Sequence, residues 1–156
     1  MLGISSSVSR VRGTLRVVYS VEGNLEMLRI PEQREPRIAE RLWQHTCCEM
    51  FVSRRGAAAY HEFNFSPSGE WAAYAFAGYR AGGRLCGEEL APRISARRSG
   101  SRLVLECRVP FAGDRLLVGL SAVMEALDGG LSYWALEHPP GKPDFHHRDA
   151  FALELA

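Results

Sequence analysis

Residues 60–79 read YHEFNFSPSGEWAAYAFAGY, and the reading of this stretch decides the fold. In residues 60–66 the side chains alternate. Tyr60, Glu62, Asn64 and Ser66 fall on one face, and His61, Phe63 and Phe65 fall on the other. Alternation with a period of two, rich in aromatic residues, marks a strand. Pro67-Ser68-Gly69 follows, with proline presetting φ and glycine accepting positive φ, so the chain turns there. Residues 70–79 carry four alanines, which on propensity alone suit a helix. Trp71, Tyr74, Phe76 and Tyr79, coming straight after a turn, favour the returning strand of a hairpin instead.

Working outward from this hairpin, strand patterns recur. Upstream they cover residues 14–21 (TLRVVYSV), 24–30 (NLEMLRI) and 43–52 (WQHTCCEMFV), with Glu22-Gly23 expected to turn the first two into a hairpin. Residues 31–40 hold two prolines and dense charge and read as a loop, with a helical turn at 37–42. Downstream, strands are expected at 92–96, 102–109, 115–124, 131–137 and 151–155, with Asp128-Gly129 as a further turn. Many short strands without a strong amphipathic helix predict an all-β antiparallel sandwich, jelly-roll or immunoglobulin-like. One domain is assigned to residues 14–156, preceded by a flexible, serine-rich segment at 1–13.

A chain of 156 residues can bury about two-thirds of its unfolded surface, so a core forms without disulfides or metal. Nineteen basic and eighteen acidic side chains leave a net charge of +1, which provides no bulk field for nucleic acid or a membrane. The pairs Arg54-Arg55 and Arg97-Arg98 are too short to act as polyanion patches. Lys142 is the sole lysine; the remaining cations are arginines, whose planar fork suits carboxylates, phosphates and sugar hydroxyls. No secretory signal and no apolar run of about 18 residues is seen, so a cytoplasmic location is expected. Cys47, Cys48, Cys86 and Cys107 show neither CxxC nor zinc spacing and read as buried reduced thiols.

Three stretches resemble the DOMON-like superfamily, which is related to the family 9 carbohydrate-binding modules. They are LWQHTCCEMFV at 42–52, YHEFNFSPSGEWAAY at 60–74 and SYWALEHPPGKPDFHHRDAFALEL at 132–155. The middle one is the most specific, and the match runs from about Thr14 to the end. The resemblance implies a β-sandwich whose relatives bind sugars or haem.

Strand alternation places Trp43, His45, Cys47, Glu49 and Phe51 on one face, and Tyr60, Glu62 and Asn64 on one face of the next strand. If the strands pair, these groups share a surface suited to a sugar: aromatic rings pack on a pyranose, and carboxylates and amides bond its hydroxyls. Trp71 and Trp134 are further platforms, Arg80 a further donor, and His146 or His147 is expected to close the site. Replacing Glu62 and Asn64 by alanine is expected to abolish binding while sparing stability. The loop at 138–149 gathers His138, Asp144, His146, His147 and Asp149, but its spacing matches no metal motif, and no metal is assigned. No cofactor is assigned either; haem, through Met50 and a histidine such as His146, is the alternative. Cys47 beside His45 or Glu49 lacks an oxyanion loop. Glu49 and Glu62 would allow glycoside chemistry only if about 5 to 9 Å apart. The expected function is thus non-catalytic binding of a carbohydrate or sugar-containing metabolite. The alternatives are a haem-binding or electron-transfer domain, and a protein-interaction module without a small ligand.

Overall fold

The computed structural model describes residues 2–135, 151 and 153–155. The expected hairpin is its centre: β4 (Tyr60–Phe65) pairs antiparallel with β5 (Trp71–Gly78), Phe65 lying opposite Trp71. Ser66 accepts from the Gly69 N–H at 3.0 Å, and its own N–H donates to the Glu70 carbonyl at 2.9 Å. Gly69 has φ +95°. A three-residue loop with glycine at the bulge position is a standard hairpin closure. The hydroxyls of Ser66 and Ser68 complete it, Ser68 Oγ donating to Ser66 Oγ at 2.8 Å.

Around this hairpin lie β1 (Gly3–Val11), β2 (Thr14–Glu22), β3 (Cys47–Arg54), β6 (Ala81–Leu85), β7 (Arg93–Ser99), β8 (Arg102–Pro110), β9 (Leu116–Glu125), β10 (Leu131–Ala135) and β11 (Leu153–Leu155). They form two antiparallel sheets. One has the order β1-β2-β8-β7. The other runs β10-β9-β3-β4-β5-β6, with β11 sharing the outer edge of β9 beside β10. Among the described residues the only helical pieces are three single 3-10 turns.

The sheets pack face to face. Leu15, Val17, Tyr19 and Val21 of β2 and Leu103, Leu105, Cys107 and Val109 of β8 meet Met50, Val52, Phe63, Phe65, Trp71 and alternate residues of β9. The opposite face of the smaller sheet meets solvent and carries ion pairs such as Arg16–Glu106 at 3.0 Å. This one-sided burial is the ordinary pattern of an antiparallel sheet. β3 and β4 depart from it, because both of their faces are buried.

The expected all-β sandwich is therefore the observed one, with local corrections. Residues 3–11, expected to be flexible, form an edge strand. Arg12 (φ 49°) and Gly13 (φ 76°) close the β1–β2 hairpin with two positive-φ residues, the primed geometry that matches strand twist. Residues 24–30 do not pair back on β2, since β1 and β8 already occupy both of its edges. Instead Leu25–Met27 makes one 3-10 turn with Leu25 in the core, and Leu28 bridges Ala126 in the other sheet. Residues 42–44 form a turn rather than the start of β3. The glycine-rich AGGRL of β6, which carries no strand signal, pairs with β5 through register shifts. The loop at 138–149 lies outside the described residues.

The turn makes a direct test. Gly69→Ala forces an L side chain into a positive-φ position and is expected to cost about 1 kcal/mol or more, a few degrees in melting temperature. Gly3→Ala, with nothing within 4 Å of an added Cβ, is expected to change stability by under about 0.5 kcal/mol. Equal melting temperatures for the two variants would remove the hairpin from its central role.

Candidate functional site

The face of the larger sheet turned away from the smaller one is organised in cross-strand rows. Ser121, Glu49, Asn64 and Ala72 lie side by side across β9, β3, β4 and β5. The next row is Phe51, Glu62 and Tyr74, and the one after it holds Tyr60 and Phe76. On the other flank Val123 pairs with Tyr133 of β10. Together these rows floor a cleft of about 460 Å³ lined by Trp43, Glu49, Phe51, Glu62, Tyr74, Phe76, Arg80, Gly83, Val123 and Tyr133. This cleft explains the double burial of β3 and β4: one face meets the core and the other meets the cleft walls.

Its floor is acidic. Glu49 is 2% exposed, Glu62 6% and Asn64 0%. With its amide nitrogen turned to the acids, Asn64 donates to Glu62 Oε2 at 2.8 Å and to Glu49 Oε2 at 3.2 Å. Ser121 Oγ donates to Glu49 Oε1 at 3.1 Å. One amide therefore bridges two buried carboxylates. Burial and the neighbouring Glu62 charge push the Glu49 carboxyl up to about 8, and the Ser121 hydrogen bond only partly opposes this. Two like charges at one buried site favour retention of a proton between them. Cys47, one row further along, is likewise raised by burial and by Glu49, which makes its thiol a poor nucleophile.

The walls are aromatic. The rings of Trp43 and Tyr74 meet edge-on at 6.1 Å, and Tyr60 stacks on Phe76 at 4.8 Å. The Tyr60 hydroxyl accepts from the Arg80 backbone N–H at 3.0 Å, anchoring the turn after β5 where Arg80 takes φ 51°. The Arg80 guanidinium lies over the Tyr79 ring at 5.8 Å. The Tyr74 hydroxyl is buried and makes no hydrogen bond among the described residues. Burial first, then the carboxylates of Glu40 and Glu62, pushes it up to about 12; the Arg41 backbone opposes this weakly, from outside hydrogen-bonding geometry.

Of the expected site residues, the cleft brings together Trp43, Glu49, Glu62 and Arg80, with Asn64 in the floor and Tyr60 supporting the wall. Three are placed elsewhere. Trp71 is 2% exposed in the core between the sheets, because it lies opposite Phe65 and shares that strand face. Trp134 pairs with Ala122, whose side chain is in the core, so it packs there and donates from Nε1 to Ser132 at 3.0 Å. His45 donates from Nδ1 to Glu125 at 3.0 Å, away from the cleft lining. His146 and His147 lie outside the described residues. Met50 is wholly buried in the inter-sheet core, facing away from the cleft. The expectation that Glu62 and Asn64 are dispensable for stability is also reversed, since both are buried and share hydrogen bonds. Missed by sequence reading were Tyr74, Phe76, Val123 and Tyr133; the alternation of β5 carries Tyr74 and Phe76, but nothing local marks which face is the cleft. Among the described residues no three His, Cys, Asp or Glu side chains are grouped to hold a metal, and no helix is long and apolar enough to cross a membrane.

No family model and no curated protein matches the chain. Solved structures do. A candidate carbohydrate-binding protein from Bacteroides uniformis superposes with a TM-score of 0.70 at 15% identity, over 96% of this chain and 76% of that one. A family 9 carbohydrate-binding module from Caldicellulosiruptor kristjanssonii, in complex with cellotriose, superposes with a TM-score of 0.54 at 11% identity. That match covers 86% of this chain and 64% of the module's chain. At these identities the likeness is one of fold: this chain is a β-sandwich built like theirs.

Proposed function

We propose that the chain is a DOMON-like, non-catalytic module that binds a carbohydrate in the cleft on the outer face of the larger sheet. The observation that carries this is the pairing of aromatic walls with a buried floor of two carboxylates and an amide. Apolar sugar faces stack on rings such as Trp43 and Tyr74, and sugar hydroxyls are both donors and acceptors, which suits Glu49, Glu62 and the Tyr74 hydroxyl. The sugar-binding relatives of the same fold support the reading. Binding without bond cleavage is favoured because both carboxylates rise from one floor, tied to one amide. A glycosidase pair instead flanks its bond from two sides. Met50, the methionine suggested as a haem ligand, faces the core, which weighs against the haem alternative at this site.

Titration with glucose and cellotriose, followed by tryptophan fluorescence and calorimetry, tests the proposal. Trp43 is 41% exposed at the cleft mouth. Trp43→Ala is expected to weaken binding about tenfold or more while leaving melting within about a degree or two. Asn64→Ala is expected to lose binding and also about 1–3 kcal/mol of stability, because it leaves two buried carboxylates without their shared donor. Saturable binding unaffected by either substitution would move the sugar site elsewhere.

The acid pair also sets a pH dependence. The titratable groups that feel Glu49 are Glu62 on β4, Cys47 and Cys48 on its own strand, and Tyr19 from the opposite sheet. The three other than Glu62 are raised above their usual values and stay neutral near pH 7. Glu49 holds its proton more tightly folded than unfolded, so its contribution to stability is full below about 4.5 and lost as pH rises toward about 8. Glu49→Gln is expected to flatten this decline. Thermal melts of both proteins from acid to mildly alkaline pH measure it, and parallel curves would contradict the proton-sharing floor.

A further inference from the structure

We infer that two copies of the chain join along β1, edge to edge and antiparallel, so that their smaller sheets run on as one. The inference is independent of the carbohydrate reading. Three features of the strand carry it.

First, among the described residues β1 is the sheet edge left open. An edge strand offers unpaired N–H and C=O groups to a second strand, and proteins blunt such edges with charge, bulges, short strands or covering groups. β7 carries exposed Arg93, Arg97 and Arg98, and the Gln33 side chain donates to its Ala96 carbonyl at 3.1 Å. β6 is five residues long and pairs through register shifts. β10 and β11 are five and three residues long. β1 instead runs nine residues in unbroken register with β2, without proline, and Arg10 is its only charge. Second, its inward side is half finished. Leu15, Val17, Tyr19 and Val21 of β2 are buried, whereas Ile4 and Val8 of β1 are only half-buried against the same core. An interior strand that lacked one neighbour would look like this. Third, Arg10 lies on that inward side with Nε and Nη2 buried and without a hydrogen bond, and Asp114 reaches only Nη1, at 4.0 Å. Buried donors of this kind call for an acceptor.

A second copy is the fitting partner because β1 is complementary to itself. The two-residue turn makes Val11 and Thr14 the closing hydrogen-bonded pair of the β1–β2 hairpin, and such pairs then alternate along it. The backbone groups of Ile4, Ser6, Val8 and Arg10 are therefore the ones on the outer edge. A two-fold axis through Ser7 sets Ile4 against Arg10 and Ser6 against Val8, so each outward donor meets an acceptor and no like charges oppose. The same register puts Ser6 of the second copy diagonal to Arg10 on the inward face, where its hydroxyl can accept from the free donors.

The test is analytical ultracentrifugation of the full chain and of three variants. The unaltered chain is expected to sediment at twice the monomer mass. Ser6→Pro removes an outward N–H that β2 does not use, and is expected to give a monomer that keeps its melting transition. Ser7→Cys is expected to cross-link two chains on mild oxidation. The axis puts position 7 opposite its own copy with Cα atoms about 4.5 Å apart, inside disulfide range. Ser5→Cys, equally exposed but facing Ser9 of the second copy, is expected not to cross-link. The four native cysteines are buried and give no background. A monomer at every concentration overturns the inference and leaves the edge to water or to a strand of another protein. A dimer that survives Ser6→Pro, that gives no Ser7→Cys cross-link, or that Ser5→Cys cross-links as readily also overturns it. If Ser6→Pro loses its melting transition, the two cysteine variants decide alone.

Discussion

A carboxylate removed from water is costly unless its charge is answered by hydrogen bonds, a counter-charge or a proton. This fold removes two, Glu49 and Glu62; among the described residues the Asn64 amide reaches both, the Ser121 hydroxyl donates to Glu49, and Glu49 holds its proton up to about 8. Much of the architecture can be understood as the means of keeping that arrangement in place. The two acids stand on β3 and β4, in the interior of the larger sheet, where both edges of each strand are paired. Their backbones therefore have no freedom to move the side chains apart. Tyr19, from the opposite sheet, donates its hydroxyl to the Glu49 backbone carbonyl, which ties the floor of the cleft to the core beneath it.

The same hairpin supplies core and cleft at once. Phe63, Phe65 and Trp71 point inward from β4 and β5, while Glu62, Asn64, Tyr74 and Phe76 point outward one residue away. A register slip of one residue would exchange the two sets, placing acids in the core and rings such as Phe63 in the cleft. The Ser66–Glu70 turn holds the register through a glycine at positive φ and a small serine network closing on Glu70, which Arg37 also engages at 2.8 Å. Fold and site thus share one constraint. Damage to the turn would reach both.

Aromatic packing extends outward from this centre. Tyr60, Phe76, Phe51 and Phe151 form a small second cluster behind one wall of the cleft. Trp43 reaches Tyr74 from the turn that precedes β3. Rings fixed by contact with other rings lose little further freedom when a ligand arrives, so a surface of this kind is prepared in advance for binding.

Much of this was legible in the residues alone. Alternation is a local signal, and it placed β2, β4, β5, β8 and β9 nearly at their observed bounds, grouping Glu49, Glu62 and Asn64 on one surface before any pairing was known. Segments whose fate depends on a distant neighbour were not legible. Residues 3–11 become a strand because β2 offers them an edge, and residues 24–30 do not because that edge is taken. Alternation also divides a strand into two faces without saying which one meets the other sheet. For that reason Trp71, by pattern alone a good sugar platform, is a core residue, Trp134 packs half-buried against the core, and Tyr74, Phe76 and Tyr133 stand in the cleft. The sequence by itself determined which side chains travel together. Only the stacking of two sheets decided which set faces the core and which faces the cleft, because that depends on contacts between residues far apart in the chain.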